Sequence, residues 1–280
     1  MGRISPRAAI AYHVPTTLEH DVSHALDRRL ETALRLAAEA GRLALSLAPP
    51  PGAPVASLKH HQDWLTEADG AVEAFLAREC AAAFPEDGFQ GEETGTGPAG
   101  RLTWVVDPID GTSNFARGAP RWCVSLGLIE DRRSVLGVLV APALGETFAA
   151  RDGGGATLNG APIRAAATTD LARAMVECGW SPRRPNAGYY TLVQGVMDSG
   201  AMLRATGSGA LGLADVAAGR IDGYVEAHIN LWDVAAALCL LAEAGATVSP
   251  FMAGDRPAHG NPIRASAPGV AEALAAIAGF

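Results

Sequence analysis

The chain has 280 residues, and 49% of them are hydrophobic, which is enough for a substantial core and excludes an intrinsically disordered protein. Its 32 glycines and 18 prolines indicate many tight turns, as in a mixed α/β fold rather than a helical bundle. The net charge of −8 is spread without a basic cluster, so nucleic acid is not an expected partner.

The cysteines and the apolar runs indicate the compartment. The four cysteines are far apart and form no CxxC pair, which indicates free thiols: Cys80, Cys123, Cys178 and Cys239. Residues 1–24 contain no signal-peptide core, and no uncharged apolar run has membrane-spanning length. We therefore expect a cytoplasmic protein with a loose N-terminal extension over 1–24 and no membrane association.

Hydrophobic spacing predicts the elements of the first half in chain order. Apolar residues at helical spacing predict one helix over 25–47, ended by a proline-rich run, and a second over 67–83. Buried strands are predicted next, over 102–108 with its end at Pro108, over 122–130 and 134–142 as a pair, and over 147–160 as a hairpin. These elements form the first half of the chain, residues 25–155.

The second half, residues 156–280, alternates helices and strands more loosely. The predicted elements are helices over 187–199, 208–219 and 234–244, the last with Gly245 as its C-cap, and a short strand over 224–226.

Four acidic clusters lie at the ends of predicted elements, where their side chains can converge on one cleft. They are residues 63–69, Glu92 with Glu93, Asp107 with Asp110, and Asp233. Taken singly, each has a plain structural interpretation: adjacent glutamates form a solvated face, Asp63 or Thr66 caps a helix, and Asp233 occupies an N-cap position.

The segment WVVDPIDGTSNF, residues 104–115, carries the clearest chemical pattern. A hydrophobic strand delivers Asp107 and Asp110 to its end, and two carboxylates at this spacing suit one hard cation or bridge two. Gly111 permits close approach of a ligand, Thr112 offers a hydroxyl, and a helix that starts there would present amides to a phosphate. The same residues also fit a solvated Pro-Asp-Gly turn.

Together these segments resemble the inositol monophosphatase family, within the Mg²⁺-dependent, lithium-sensitive phosphatase superfamily. The similarity runs from about residue 28 and is strongest in WVVDPIDGTSNF and in LWDVAAALCLLAEAGA, residues 231–246. The segments GEE, residues 91–93, and DWLTEAD, residues 63–69, match the other two acidic motifs. Ala246 departs from the family's closing glycine, and Trp64 replaces a smaller aliphatic residue.

The resemblance implies a role for each matching residue. Two or three Mg²⁺ ions per site would be held by carboxylates and one backbone carbonyl: Glu92, Asp107, Ile109, Asp110 and Asp233. Asp69 and Thr112, with Glu92, would act in catalysis by positioning and deprotonating the attacking water. Supporting contacts would come from Asp63, Thr66 and Glu93. Substrate would contact Gly111, Thr112, Ser113, Arg204, Gly207, Ser208 and Glu226.

The implied fold is a layered αβαβα sandwich of the α/β class, and a homodimer is expected. The resemblance also implies that residues 25–155 carry most of the metal ligands and that residues 156–280 carry the substrate pocket and Asp233. The implied reaction is hydrolysis of a small phosphate monoester by direct attack of metal-activated water, without a phosphoenzyme. Ser113-Asn114-Phe115 after Asp-Gly-Thr favours myo-inositol monophosphate, with histidinol phosphate as the alternative. A protein-interaction role with little catalysis is the alternative from a different class.

Overall fold

Two β-sheets and seven α-helices make up the part of the chain that the computed structural model describes, which is residues 16–50, 58–60, 63–64, 66–97, 100–254 and 260–280. Side chains are described from residue 24 onward, apart from those of 58–64. The helices are α1 Thr16–Ser46, α2 Glu67–Ala83, α3 Thr112–Ala116, α4 Ala187–Asp198, α5 Gly209–Ala217, α6 Leu231–Glu243 and α7 Ala271–Ala278.

Strands β1 Leu58–His60 and β2 Asp63–Trp64 form a small hairpin, and the other strands form the two larger sheets. The first sheet contains β3 Gly88–Gly91, β4 Gly95–Thr96, β5 Leu102–Asp110, β6 Cys123–Glu130, β7 Arg133–Ala141, β8 Glu146–Arg151, β9 Gly155–Leu158 and β10 Ala161–Pro162. The second sheet contains β11 Met175–Cys178, β12 Met202–Arg204, β13 Gly223–Ile229, β14 Thr247–Val248 and β15 Asn261–Ser266.

The two sheets and the helices form five layers. The first sheet has the strand order β10-β9-β8-β7-β6-β5-β3-β4, and the second has β12-β11-β13-β15-β14. Helices α1 and α2 cover one face of the first sheet, α5 and α6 fill the space between the sheets, and α4 and α7 cover the second sheet. The expected αβαβα sandwich is confirmed.

Small residues allow α6 to approach the first sheet closely. A Cβ added to Gly127 would lie 2.6 Å from Ala235, and one added to Gly137 would meet the carbonyl group of Ala236. Alanines on the helix and glycines on the strands therefore remove the side chains that would hold the two layers apart. This contact fixes the start of α6 relative to the end of β5.

Most predicted elements are confirmed, and several boundaries differ. Helix α1 begins at Thr16 rather than at 25, since the sequence has no proline between 16 and 46 to stop the helix. Strand β5 continues past Pro108 to Asp110. Helix α6 begins at Leu231 rather than at 234.

The first sheet extends beyond the predicted boundary between the halves at 155. Strands β9 and β10 pair onto its edge and carry it to Pro162. No helix within the described residues is both long enough and apolar enough to cross a bilayer.

Candidate metal and phosphate site

Strand β5 ends in an irregular stretch that carries two aspartates. Its pairing with β6 shifts register between Asp107 and Asp110, as at a β-bulge, and Pro108 lies within the shift. Proline has no N–H to donate to a ladder, and bulges are among the places where sheets tolerate it. Asp107 accepts a hydrogen bond of 2.9 Å from the amide of Ile109, and both aspartates are buried. The irregularity therefore brings two buried carboxylates to one end of the strand.

The third carboxylate comes from the first turn of α6. Asn230 is the N-cap, and Asp233 accepts hydrogen bonds from its backbone N–H at 2.9 Å and from its side-chain amide at 3.2 Å. The predicted N-cap position of Asp233 is therefore wrong, because this arrangement is a capping box with Asp233 as the third helical residue. Carboxylate oxygens of Asp107, Asp110 and Asp233 lie within 4.8 Å of one another.

The carboxylates of this cluster disfavour one another's charge. Burial, followed by the nearby Glu92 and Asp110, raises the pKa of Asp107 well above its usual range. Burial and the Asp233 carboxylate raise the pKa of Asp110 to about 7. Burial also raises the pKa of Asp233. A set of buried oxygen donors that are jointly anionic has the chemistry that binds Mg²⁺, so these residues fit the ion that the family implies.

Asp110 is also anchored to the start of α5. The hydroxyl of Ser208 donates a hydrogen bond to Asp110 Oδ2, as does the backbone N–H of Ala210 at 3.0 Å. Ser208 is the N-cap of α5 and is buried. In this structure Ser208, a predicted substrate contact, therefore holds Asp110 in place across the two halves of the chain.

Glu92 lies in the turn between β3 and β4, and a buried glutamate supports that turn. The carboxylate of Glu73 accepts hydrogen bonds from the backbone N–H groups of Glu93 at 2.8 Å and Thr94 at 2.7 Å. A Cβ on Gly91 would collide with the same carboxylate. The sequence analysis missed Glu73, although a charged residue on the buried face of an amphipathic helix was a signal that could have revealed it.

Asp69 and Thr66 form a second capping box, at the start of α2. The carboxylate of Asp69 accepts hydrogen bonds from the backbone N–H of Thr66 at 2.7 Å and from its hydroxyl at 2.6 Å. The predicted capping role of Thr66 is confirmed. The side chain of Asp63 lies outside the described residues.

The segment after β5 forms the turn predicted to bind phosphate. Gly111 has a φ of +93°, and a Cβ there would lie 2.9 Å from the carbonyl oxygen of Arg121, so both conformation and space require glycine. The hydroxyl of Thr112 donates to the carbonyl oxygen of Ile109 at 2.9 Å. Gly111, Thr112 and Ser113 line a cavity of about 140 Å³ together with Glu92 and the aspartate cluster.

The sequence model of the inositol monophosphatase family matches residues 25–279. The chain belongs to this family. Nus factor SuhB from Xylella fastidiosa is 40% identical over 201 residues, which are 71% of this chain and 73% of that protein. The inositol-1-monophosphatase of Mesorhizobium japonicum is 38% identical over 202 residues, 71% of this chain and 76% of that protein. The solved structure of the extragenic suppressor protein suhB from Bartonella henselae superposes with a TM-score of 0.82 at 30% identity, covering 90% of this chain and 98% of that one.

In this family member a larger cavity of about 710 Å³ adjoins the smaller one, and both are lined by Asp110, Ser113 and Gly207. Glu226 lines the larger cavity and accepts a hydrogen bond of 2.5 Å from the hydroxyl of Tyr224. Burial raises the pKa of Glu226 to about 8.

Arg204 does not line this larger cavity, whose nearest lining residue is Ala205. Arg204 ends the edge strand β12, where successive side chains point to opposite faces of the sheet. Its guanidinium lies 3.1 Å from Sδ of Met175 on the neighbouring strand β11. This geometry does not support the predicted contact between Arg204 and the substrate.

A polar network beneath the larger cavity was also missed. Arg121 donates to Thr206 Oγ1 at 2.6 Å and to Asp215 at 3.0 Å, and its guanidinium lies 3.6 Å from Glu177. The side-chain amide of Asn114 donates to the carbonyl oxygens of Arg121 at 2.8 Å and Thr206 at 2.9 Å. Thr206 and Asp215 lie 85 to 94 residues from the Arg121 and Asn114 side chains that they bond, so no local pattern could have predicted these pairings.

Proposed function

We propose that this family member is a Mg²⁺-dependent phosphomonoesterase that hydrolyses a small phosphorylated alcohol, with myo-inositol monophosphate as the first candidate. The observation that carries the proposal is the cluster of the buried Asp107 and Asp110 with the half-buried Asp233, whose carboxylate oxygens lie within 4.8 Å of one another. Buried charges this close together are costly without a cation, and the cluster lies beside a cavity lined by the Gly111 turn.

The proposed ligands of two or three Mg²⁺ ions are the carboxylates of the cluster, Glu92 and the carbonyl of Ile109. Bound there, Mg²⁺ would offset the negative charge of the phosphoryl group and lower the pKa of a water molecule. The two capping boxes fix the orientations of Asp69 and Asp233, and Ser208 fixes Asp110.

In the proposed reaction the chain's own side chains orient the attacking water and receive its proton. Thr112 and Asp69 are proposed for this task, and the amides of Gly111, Thr112 and Ser113 for holding the phosphate. Burial raises the pKa of the nearby Cys123 thiol well above its usual value, so it does not supply a thiolate at neutral pH. This supports direct attack by water rather than a covalent intermediate.

Several features favour an inositol phosphate as substrate. One relative of known sequence bears the name inositol-1-monophosphatase, and Ser113-Asn114-Phe115 follows the Asp-Gly-Thr motif. Glu226 at the wall of the larger cavity fits hydroxyl recognition, although it fits histidinol phosphate as well. Histidinol phosphate therefore stays the second substrate to be tested.

The test is phosphate release from myo-inositol 1-phosphate, histidinol phosphate, fructose 1,6-bisphosphate and 3′-phosphoadenosine 5′-phosphate, with Mg²⁺ and with EDTA. The Asp110→Asn variant is compared with the wild type, and Asp198→Asn, at an exposed position at the end of α4, is the matched control. We expect turnover that requires Mg²⁺, is lost in Asp110→Asn and is retained in Asp198→Asn. Folded wild-type protein that turns over none of the four esters would overturn the inositol phosphate assignment.

A second candidate function is binding to a protein partner, and the name Nus factor of the Xylella fastidiosa relative is the observation that favours it. A stable stoichiometric partner in co-purification, together with no turnover of any ester, would support this role over catalysis. Turnover without such a partner would support the enzyme.

A further inference from the structure

Aromatic side chains are scarce in this chain but concentrate on one side of the larger cavity. They make up 6% of the residues, yet Trp180, Tyr189 and Tyr190 all line that cavity. Trp180 is 43% exposed and Tyr190 is 62% exposed. Large aromatic surface left in a concave site is typical of ligand binding rather than of packing. We call these three residues the aromatic wall.

The aromatic wall is held in place by Asn186, the residue that precedes α4. The indole N–H of Trp180 donates to Asn186 Oδ1 at 2.8 Å, and Asn186 Nδ2 lies 3.5 Å from the Tyr190 hydroxyl. The ring centroids of Tyr189 and Tyr190 are 6.2 Å apart. The indole N–H already donates to Asn186, so the exposed part of Trp180 presents a carbon surface to a ligand.

Arg183 lies between the aromatic wall and the aspartate cluster. This arginine lines both cavities, and its guanidinium lies 4.0 Å from the carboxylate of Glu92. A monoester with its phosphate in the smaller cavity can therefore extend its alcohol portion into the larger one. That volume, about 710 Å³, is in the range of cavities that enclose whole small-molecule ligands.

We propose that the aromatic wall is the specificity subsite, where Trp180 stacks against one face of a ring in the alcohol portion of the substrate. The shared chemistry is a ring face, either the C–H face of a cyclic polyol or the π face of an aromatic ring. The subsite therefore selects ring-bearing phosphate monoesters over acyclic ones. This inference rests on the proposed phosphomonoesterase function and specifies its substrate class.

The experiment compares KM and kcat for three esters in the presence of Mg²⁺. They are myo-inositol 1-phosphate with a polyol ring, histidinol phosphate with an aromatic ring, and glycerol 2-phosphate with no ring. The variants are Trp180→Ala, Trp180→Phe, which keeps an aromatic face, and Leu144→Ala, which removes an exposed apolar side chain in the turn between β7 and β8. Circular dichroism checks that each variant is folded.

We expect Trp180→Ala to raise KM about tenfold for the preferred ring-bearing ester, with kcat little changed. KM for glycerol 2-phosphate should change less than about twofold, because it has no ring to stack. Trp180→Phe should recover most of the loss, and Leu144→Ala should match the wild type. The ring-bearing ester with the larger loss identifies which kind of ring the subsite accepts.

An equal rise in KM for all three esters, or no rise for any, would overturn the subsite. If the wild type hydrolyses none of the three, the assignment of inositol phosphate or histidinol phosphate as substrate fails, and the subsite is then judged by binding alone. Calorimetric titration of the same esters into wild-type and Trp180→Ala protein makes that decision. Tighter ring-dependent binding to the wild type supports the aromatic wall, and equal or absent binding overturns it.

Discussion

Glu73 shows how one buried side chain controls the geometry of a neighbouring proposed metal ligand. It is 1% exposed, and its two carboxylate oxygens each accept a hydrogen bond from the turn that contains Glu92. A buried acceptor of this kind orients the turn and, through it, the proposed metal ligand, in the way that outer contacts orient ligands in other metal sites.

Glu73→Gln is predicted to weaken Mg²⁺ binding about tenfold, because the amide NH₂ cannot accept a backbone N–H hydrogen bond. The change should also lower the free energy of unfolding by about 2 kcal/mol. Mg²⁺ titration by calorimetry and urea denaturation measure the two effects. Glu79→Gln, at a half-buried position of the same helix where the carboxylate pairs with Arg78, should show neither; a wild-type Mg²⁺ affinity in Glu73→Gln would contradict the supporting role.

Asp110 makes the metal-free protein less stable as pH rises. Its pKa is about 7 in the folded state against 3.8 for the ordinary group, so the folded state binds more protons than the unfolded state between these values. The free energy of unfolding must therefore fall from about pH 4 to about pH 7, and the full penalty applies above that range. Mg²⁺ should remove this penalty, since the cation favours the ionised form.

We predict that Asp110→Asn is inactive but, in EDTA, more stable than the wild type at about pH 8 and closer to it at about pH 5. The physical reason is the loss of one buried negative charge from a cluster of like charges. Denaturant titrations at the two pH values measure the difference, with Asp198→Asn as the control. A wild-type stability profile in Asp110→Asn would mean that the cluster carries no such repulsion.

At the scale of elements, the same capping motif at a helix start positions two carboxylates of the predicted site. Helices α2 and α6 each begin with a capping box, formed by Thr66 with Asp69 and by Asn230 with Asp233. The spacing of three residues was visible in the sequence in both cases. The start of α6 was nevertheless predicted too late, because the aspartate itself is also a favourable N-cap residue and competed with Asn230.

At the same scale, helix α6 packs closely on the first sheet. Gly137→Ala would place a methyl group against the carbonyl of Ala236, in a contact with no flexible side chain to yield. We predict a loss of about 3 kcal/mol in the free energy of unfolding and a weaker Mg²⁺ site, since α6 carries Asp233. Urea denaturation measures the loss.

Gly70→Ala is the matched control for this substitution. A Cβ at Gly70 meets nothing within 4 Å, and the residue lies in α2, where alanine is the better helix former. It should be neutral or stabilising by about 0.5–1 kcal/mol. Equal stability of Gly137→Ala and Gly70→Ala would show that the two layers can separate without cost.

At the scale of the whole molecule, the site forms where the two halves of the chain meet. β5 supplies Asp107 and Asp110, α6 supplies Asp233, and the start of α5 anchors Asp110. The family resemblance that the motifs carry implied the proposed ligands and the five-layer fold. The strand end and the helix start that hold the aspartates are encoded locally, by apolar runs and capping residues.

Other contacts of the site could not be predicted, since they depend on tertiary packing. Arg121 bonds Thr206 and Asp215 across about ninety residues, and Arg183 approaches Glu92 from the opposite half. Neither pairing leaves a local signature in the sequence. The continuation of β5 past Pro108 could not be predicted either, because only the pairing with β6 shows that the strand continues.

The most direct test of the central claim is the initial rate of phosphate release from myo-inositol 1-phosphate as a function of Mg²⁺ concentration, for the wild type and Asp233→Asn. This residue lies in the opposite half of the chain from the two aspartates of β5, so its loss tests the assembled cluster. We predict a wild-type rate that saturates with Mg²⁺ and a variant rate lower by about a hundredfold or more. Full wild-type turnover in EDTA, or an unchanged rate in Asp233→Asn, would contradict the assignment of the cluster as the catalytic metal site.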